Sequence, residues 1–299
     1  MHLLIKEISS PHGPDSLATT LNRAAGLVLL RSSQSDSAAA RYSFLAADPF
    51  LTFRSFGSRC EVHSGDGTQI QYGNPWSLLD SLMSRFELLD ELDLPFPLGG
   101  CFGYWGYDLK NFVEPKLPRR ARNDLELPDC CVGFYDSLVV FDHHLGKIWI
   151  VSTGLDADGT RDEKRAHERL QFWEALLGVH PLGCQTVGAA ARILNTLKGG
   201  HQTGQAAFGK PRPGGAAEDF RSNLTRAEFI SRVERSQAYI RSGDIYQVNL
   251  AQRLTFPVPC SPWGLFERIT AISPAATAAT AFITTTPASC ITCASRSNP

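Results

Sequence analysis

The residues of this sequence best suited to chemistry stand in one short stretch. After Gly243-Asp244, the segment to Arg253 carries Tyr246, Gln247, Asn249, Gln252 and Arg253, so phenol, amide and guanidinium groups alternate with mostly apolar neighbours. Polar groups on a buried strand must be satisfied, and either a polar ligand or an internal hydrogen-bond network can do so. Residue type alone leaves both readings open.

Other candidates have simpler explanations. The run Gly99-Gly100-Cys101-Phe102-Gly103-Tyr104-Trp105-Gly106-Tyr107-Asp108 lacks GxGxxG spacing, and no Gly-Lys-Ser/Thr follows it. It is therefore not a phosphate cradle. Glycines among aromatics fit close backbone packing instead. His143-His144 has no acidic or thiol partners at metal spacing and reads as a solvated turn. No Gly-x-Ser-x-Gly elbow occurs, which removes the simplest hydrolase reading. The one CxxC, Cys290 to Cys293, lacks the second pair or histidines that zinc needs. The cysteines read as reduced thiols of a cytosolic protein.

The elements that must position these residues begin with strands. Gly26–Ser32 is a short apolar run, Arg41–Leu45 leads to a second strand, and Leu51–Phe56 alternates apolar and polar. Cys60–His63 and Gln69–Tyr72 flank Ser64-Gly65-Asp66-Gly67, a hairpin signature. Pro75-Trp76 opens an amphipathic helix with Leu78, Leu79, Leu82 and Met83 on one face. Asp136–Asp142 and Lys147–Ser152 read as paired strands, and Thr160–Leu177 as a charged helix. From Leu197 to Phe220 the chain is rich in Gly and Pro and reads as a linker. Thr225 and Glu228 form a capping-box pattern for a helix with Phe229, Val233 and Ile240 inward, ended by Ser242-Gly243. Ile245–Leu254 then reads as an alternating strand. From Ser273 to Pro299 only Arg296 is charged, and no helical or strand period is visible.

Composition bounds the rest. With 299 residues the chain can bury a sizeable core without staples. Lys+Arg 29 against Asp+Glu 30 gives a net charge of −1, no general field for nucleic acid or an anionic membrane. The N-terminus has one short apolar run and an acidic residue at Glu7, unlike a signal peptide. No apolar run reaches the length of a membrane span. These features predict a soluble, cytoplasmic protein.

Three motifs in order carry a family resemblance. Ser242–Arg253 resembles the segment that opens the chorismate-binding domain of the large subunits of anthranilate synthase and aminodeoxychorismate synthase, and Pro262-Trp263-Gly264-Leu265-Phe266 fits the same family. Leu98–Asp108 resembles its N-terminal signature. Leu29-Leu30-Arg31-Ser32, with Arg41-Tyr42-Ser43-Phe44, resembles the strand and loop that build its tryptophan pocket. The resemblance spans about Gly26 to Pro274.

It implies an α+β fold of antiparallel sheets with outer helices. The implied layout is an N-terminal domain over 1–197, a linker over 198–220, the start of a chorismate-binding domain over 221–275 and an aberrant tail over 276–299. Gly243, Asp244, Tyr246, Gln247, Asn249, Gln252 and Arg253 match the chorismate-domain motif, and Ser32, Arg41, Tyr42 and Pro274 match the tryptophan pocket. Tyr-Gln-Val-Asn-Leu and Gly-Tyr-Trp-Gly-Tyr-Asp are closer to the aminodeoxychorismate branch. That branch implies amination of chorismate at C4 with ammonia from a glutamine amidotransferase subunit, on the route to 4-aminobenzoate and folate. Its Mg²⁺ acts as a Lewis acid on the substrate. The alternatives are the anthranilate branch, or a non-catalytic module binding tryptophan or a partner. The family's catalytic lysine segment, Arg-Asn-Asp helix and Mg²⁺-holding glutamates do not follow Gln252-Arg253. The resemblance therefore implies a frameshifted or truncated product, with no assignable catalytic residue and no bound Mg²⁺. Arg31 stands where the anthranilate branch has a carboxylate, which argues against a tryptophan feedback switch.

Overall fold

The computed structural model describes residues 3–22, 24–32, 40–87, 92–119, 126–178, 221–255, 261–272, 279–283 and 291–294. The chain forms two compact units, one of Met1–His201 with Pro262–Pro299, the other of Gln202–Ser261.

The first unit is built on two antiparallel sheets. The larger takes β1 (Leu4–Ile8), β2 (Leu27–Arg31), β3 (Tyr42–Ala46), β9 (Ser137–Asp142), β10 (Lys147–Ser152), β13 (Ala279–Ile283) and β14 (Ile291–Ala294) in the order β1-β10-β9-β3-β2-β13-β14. The smaller takes β4 (Leu51–Phe56), β5 (Arg59–Ser64), β6 (Gly67–Tyr72), β7 (Gly100–Trp105) and β8 (Cys130–Tyr135) in the order β6-β5-β4-β8-β7. The expected hairpin closes between Ser64 and Gly67, which face each other in register.

The two-residue period of the strands divides the core. Leu27, Leu29, Leu45, Val139, Phe141 and Ile150 lie on one face of the larger sheet, in one cluster with Leu17 and Ala18 of α1 (Pro14–Thr20) and Trp173 of α4 (Glu163–Leu176). Trp263 and Phe266 of α6 (Pro262–Ile272) complete that layer. The alternate residues Val28, Ala46, Leu138 and Val140 cluster with Cys131 and Tyr135 of the smaller sheet. Every residue of β9 is buried because both of its faces are covered. A third cluster sets Phe53, Cys60, Val132 and Phe134 under Leu79 of α2 (Pro75–Arg85).

Local chemistry fixes the helix ends. Pro75 occupies the first turn of α2, and the Asn74 side chain accepts from the Trp76 N–H at 3.0 Å. Asp162 caps α4 by accepting from Lys164 and Arg165. Arg165 and Arg169 of α4 then reach Asp136, a nearly fully buried carboxylate, with contacts of 2.9 and 3.5 Å. These ties hold α4 on the sheet beside its buried tryptophan.

The glycine run packs backbone on backbone. A Cβ at Gly99, Gly103 or Gly106 would lie 2.7, 2.2 or 2.7 Å from the carbonyl oxygens of Tyr135, Cys131 and Asp129. Glycine lets β7 lie this close to β8, as the sequence predicts. A 3₁₀ turn at Tyr107–Leu109 and the short α3 (Lys110–Val113) follow.

The second unit contains α5 (Arg226–Ser242) and a two-strand ladder of β11 (Arg221–Ser222) with β12 (Leu254–Thr255). Thr225 and Glu228 form the expected capping box, and Gly243 at φ 81° closes the helix.

Three expectations are corrected. Ile245–Leu254 is not a strand: only Leu254 and Thr255 enter a ladder, and the segment before them has none. Alternation describes side chains, whereas a strand also needs a neighbour for its N–H and C=O groups. No residue of α5 is fully buried; Phe229 and Val233 are half-buried and Ile240 is 45% exposed. Strands occur at Ala279–Ile283 and Ile291–Ala294, where the sequence shows no period, and Ala279–Ile283 pairs with β2 from Arg31 to Leu27. Backbone hydrogen bonding to an open sheet edge needs no alternation of side chains.

Candidate functional site

The register of the larger sheet assembles one of the two expected constellations. Leu30 of β2 faces Phe44 of β3, so Ser32 just beyond β2 comes level with Tyr42. The Ser32 hydroxyl donates to the Tyr42 carbonyl at 2.6 Å, and the Ser32 N–H donates to Ser43 Oγ at 2.9 Å. Tyr42 in turn faces Asp142 of β9. Arg41 Nε and Nη2 both donate to Asp142 Oδ2, at 2.8 and 2.6 Å, and the Arg41 guanidinium lies 4.9 Å from the Tyr42 ring centroid.

Ser32, Arg41 and Tyr42 are thus brought together, but mainly with internal partners. Arg31 Nε lies 3.2 Å from Asp15 Oδ1, so this cation is matched within the chain. Pro274 lies outside the described residues.

The sequence reading missed what holds this cluster. Asp142 Oδ1 accepts from the N–H groups of His144 and Leu145, at 2.9 and 3.0 Å. Burial alone would raise its carboxyl, but Arg41 and these two N–H groups outweigh burial and hold it below the ordinary value. His143 is half-buried rather than solvated, and its Nε2 lies 2.7 Å from Ser43 Oγ. Burial pushes its imidazole below the usual range, against the opposing field of Asp142 and Asp15. The available signal was Asp-His-His-Leu-Gly: an aspartate opening a turn bonds the amides two and three residues on.

The second constellation does not converge. Gly243 caps α5, and Asp244 Oδ2 accepts from the Ser242 hydroxyl at 2.6 Å. Tyr246 is 97% exposed, and Gln247, Asn249, Gln252 and Arg253 are also exposed. The Arg253 backbone is tied to Asn223 by reciprocal bonds, N–H to Oδ1 at 2.8 Å and Asn223 N–H to the Arg253 carbonyl at 3.0 Å. These bonds extend the small β11–β12 ladder by one position.

Among the described residues no group of three or more His, Cys, Asp or Glu side chains converges as a metal site. The buried carboxylates Asp136 and Asp142 are already matched by arginines. No helix among the described residues is long and apolar enough to cross a membrane. A cavity of about 540 Å³ lies beside α2, lined by Phe50, Phe86 and Phe134, with Asp80 and Glu87 also contributing.

Comparison with known proteins places this geometry. The chain is 29% identical over 262 residues to anthranilate synthase component 1 of Acetivibrio thermocellus, covering 87% of this chain and 49% of the relative. It is 30% identical over 267 residues to aminodeoxychorismate synthase component 1 of Klebsiella aerogenes, covering 88% and 50%. The chain spans about half the length of the curated relatives it matches. A crystal structure of anthranilate synthase component I from Streptococcus pneumoniae TIGR4 shares the fold, with TM-score 0.53 and 23% identity over 80% of this chain and 47% of that one. The model of the chorismate binding enzyme family matches residues 35–296. With sheets, helices and sequence in agreement over most of its length, the chain belongs to the chorismate-binding enzyme family.

Proposed function

We propose that this chain is part of the large subunit of an aminodeoxychorismate synthase. The whole enzyme aminates chorismate at C4, using ammonia from a glutamine amidotransferase subunit, and feeds 4-aminobenzoate and folate synthesis in the cytoplasm. The observation that carries the choice of branch is the internal commitment of the β2–β3 cluster. Ser32 is bonded to Tyr42, Arg41 to Asp142 and Arg31 to Asp15. A feedback site for an amino acid needs an uncommitted anion for its ammonium, and here the position carries Arg31, a cation already paired with Asp15. The glycine–aromatic run and the Tyr246–Leu250 sequence support the same branch. The anthranilate branch is the second reading, favoured by relatives of similar identity that bear that name.

We read the Mg²⁺ ligands and catalytic residues as lying in the half of the relatives' length that this chain does not span. The pure chain, given chorismate, ammonium and Mg²⁺, is then expected to form neither 4-amino-4-deoxychorismate nor anthranilate. Turnover above background overturns that placement, and anthranilate as the product moves the chain to the other branch. Calorimetric titration with tryptophan is expected to show weak binding at most. Tight binding that is lost in Ser32→Ala would restore a tryptophan site and with it the anthranilate reading.

A further inference from the structure

The cavity beside α2 belongs to neither constellation. Its volume of about 540 Å³ falls in the range of small-molecule sites. One wall is aromatic: Phe50, Phe86 and Phe134 pack with ring centroids 5.2, 5.4 and 6.3 Å apart. Thr153, also in the wall, is buried, and its hydroxyl already donates to the Asp136 carbonyl at 3.0 Å. Burial pushes the thiol of Cys101, another wall residue, up to about 12, so it stays neutral.

The charged side chains that line this cavity among the described residues are of one sign. Asp80 and Glu87 are exposed carboxylates, and among the described residues no Lys, Arg or His lines the cavity. Two guanidiniums stand close to residues of the wall. Arg85 lies 5.5 Å from the Phe86 ring centroid, and Arg161 donates to the main-chain carbonyl of Glu87. Asp80 and Met83 also line a second hollow, walled by Trp76 and Trp105. Asp80 therefore stands between two aromatic surfaces. Carboxylates beside aromatic faces attract a cation twice over, by charge and by the ring quadrupole. The same carboxylates repel an anionic substrate such as chorismate.

We propose that this cavity binds an organic cation with a flat apolar body, an aromatic primary amine. Its ring seats among Phe50, Phe86 and Phe134, and its ammonium is held by Asp80 and Glu87. The assignment does not rest on which branch of the family the chain serves.

Calorimetric titration of the full chain with tryptamine, indole and indole-3-propionate tests it, because the three share a ring system and differ in charge. Tryptamine is expected to bind, indole more weakly, and indole-3-propionate not measurably. The double variant Asp80→Asn, Glu87→Gln should lower tryptamine affinity roughly tenfold by removing charge-assisted bonds. Both side chains are exposed, so an unchanged thermal melt is expected and confirms folding. Ser32→Ala should leave tryptamine binding intact. The proposal is overturned if the three probes bind alike, if tryptamine fails to bind at millimolar concentration, or if the folded double variant binds it unchanged.

Discussion

Ser43 Oγ and His143 Nε2 lie 2.7 Å apart, joining β3 to the turn that leaves β9. Ser43 is fully buried and accepts the Ser32 N–H, so its own proton is available to the ring. Burial lowers the His143 pKa from 6.5, which means the unfolded chain takes up this proton first as the pH falls. Stability from this group is full above pH 6.5, declines as the pH drops below it and levels off under the lower folded value. Thermal melts across this window should show the slope in the native chain and a flatter profile in His143→Gln. An unchanged slope in that variant would show that the ring does not titrate as its burial implies.

Asp142 gives the opposite edge of the profile. Its folded pKa lies below 3.8, so its stabilisation is present above 3.8 and is lost as the pH falls through the folded value. Asp142→Asn should remove that acid-side dependence while keeping an acceptor for the His144 and Leu145 amides. Circular dichroism during acid titration reads the difference, and identical acid midpoints would count against the Arg41 pairing.

Trp173 is fully buried, and its indole N–H donates to Ser137 Oγ at 3.1 Å. Trp173→Ala is expected to cost about 3–5 kcal/mol, from lost burial and the cavity left behind. Trp173→Phe should cost less, since it keeps most of the ring packing. Urea unfolding measures both, and a near-neutral Trp173→Ala would mean that α4 does not dock as described.

Gly103 admits no side chain, because a Cβ there would lie 2.2 Å from the Cys131 carbonyl oxygen. Gly103→Ala should destabilise by about 3 kcal/mol or more, through forced separation of β7 from β8. Gly65→Ala, with nothing within 4 Å of the new methyl group, is the control and should change little. Equal effects in urea unfolding would refute the close approach.

The thiols of Cys60, Cys101, Cys130 and Cys131 are all raised by burial, Cys101 to about 12. Site-resolved alkylation at neutral pH should leave these four unlabelled until the chain unfolds. Rapid labelling of Cys130 in the native state would contradict its placement in the core.

Much of the local structure was legible because it is written in neighbouring residues. The Ser64–Gly67 turn, the Pro75 start of α2, the Thr225–Glu228 capping box and the Gly243 stop each depend on conformational preferences within a few positions. The glycines of Gly99–Gly106 were also read correctly as packing residues, since their spacing reports where side chains cannot fit. Sequence motifs likewise sufficed for the family, because motif order survives where identity is low.

The tertiary structure decided what depends on pairing. Ser32, Arg41 and Tyr42 could be named from sequence, but only the β2–β3–β9 register shows that the Tyr42 carbonyl takes the Ser32 hydroxyl and Asp142 takes Arg41, while the buried Tyr42 hydroxyl has no hydrogen-bond partner among the described residues. His143 became part of the framework because Ser43, 100 positions away, lies within hydrogen-bonding distance of its ring. Ile245–Arg253 carried a strand's alternation and formed none, whereas Ala279–Ile283 carried no alternation and joined β2. Side-chain period records which face a residue prefers; hydrogen-bond partners from distant segments determine whether a strand exists. The same holds for the cavity beside α2, whose aromatic wall gathers Phe50, Phe86 and Phe134 from three separate stretches of chain.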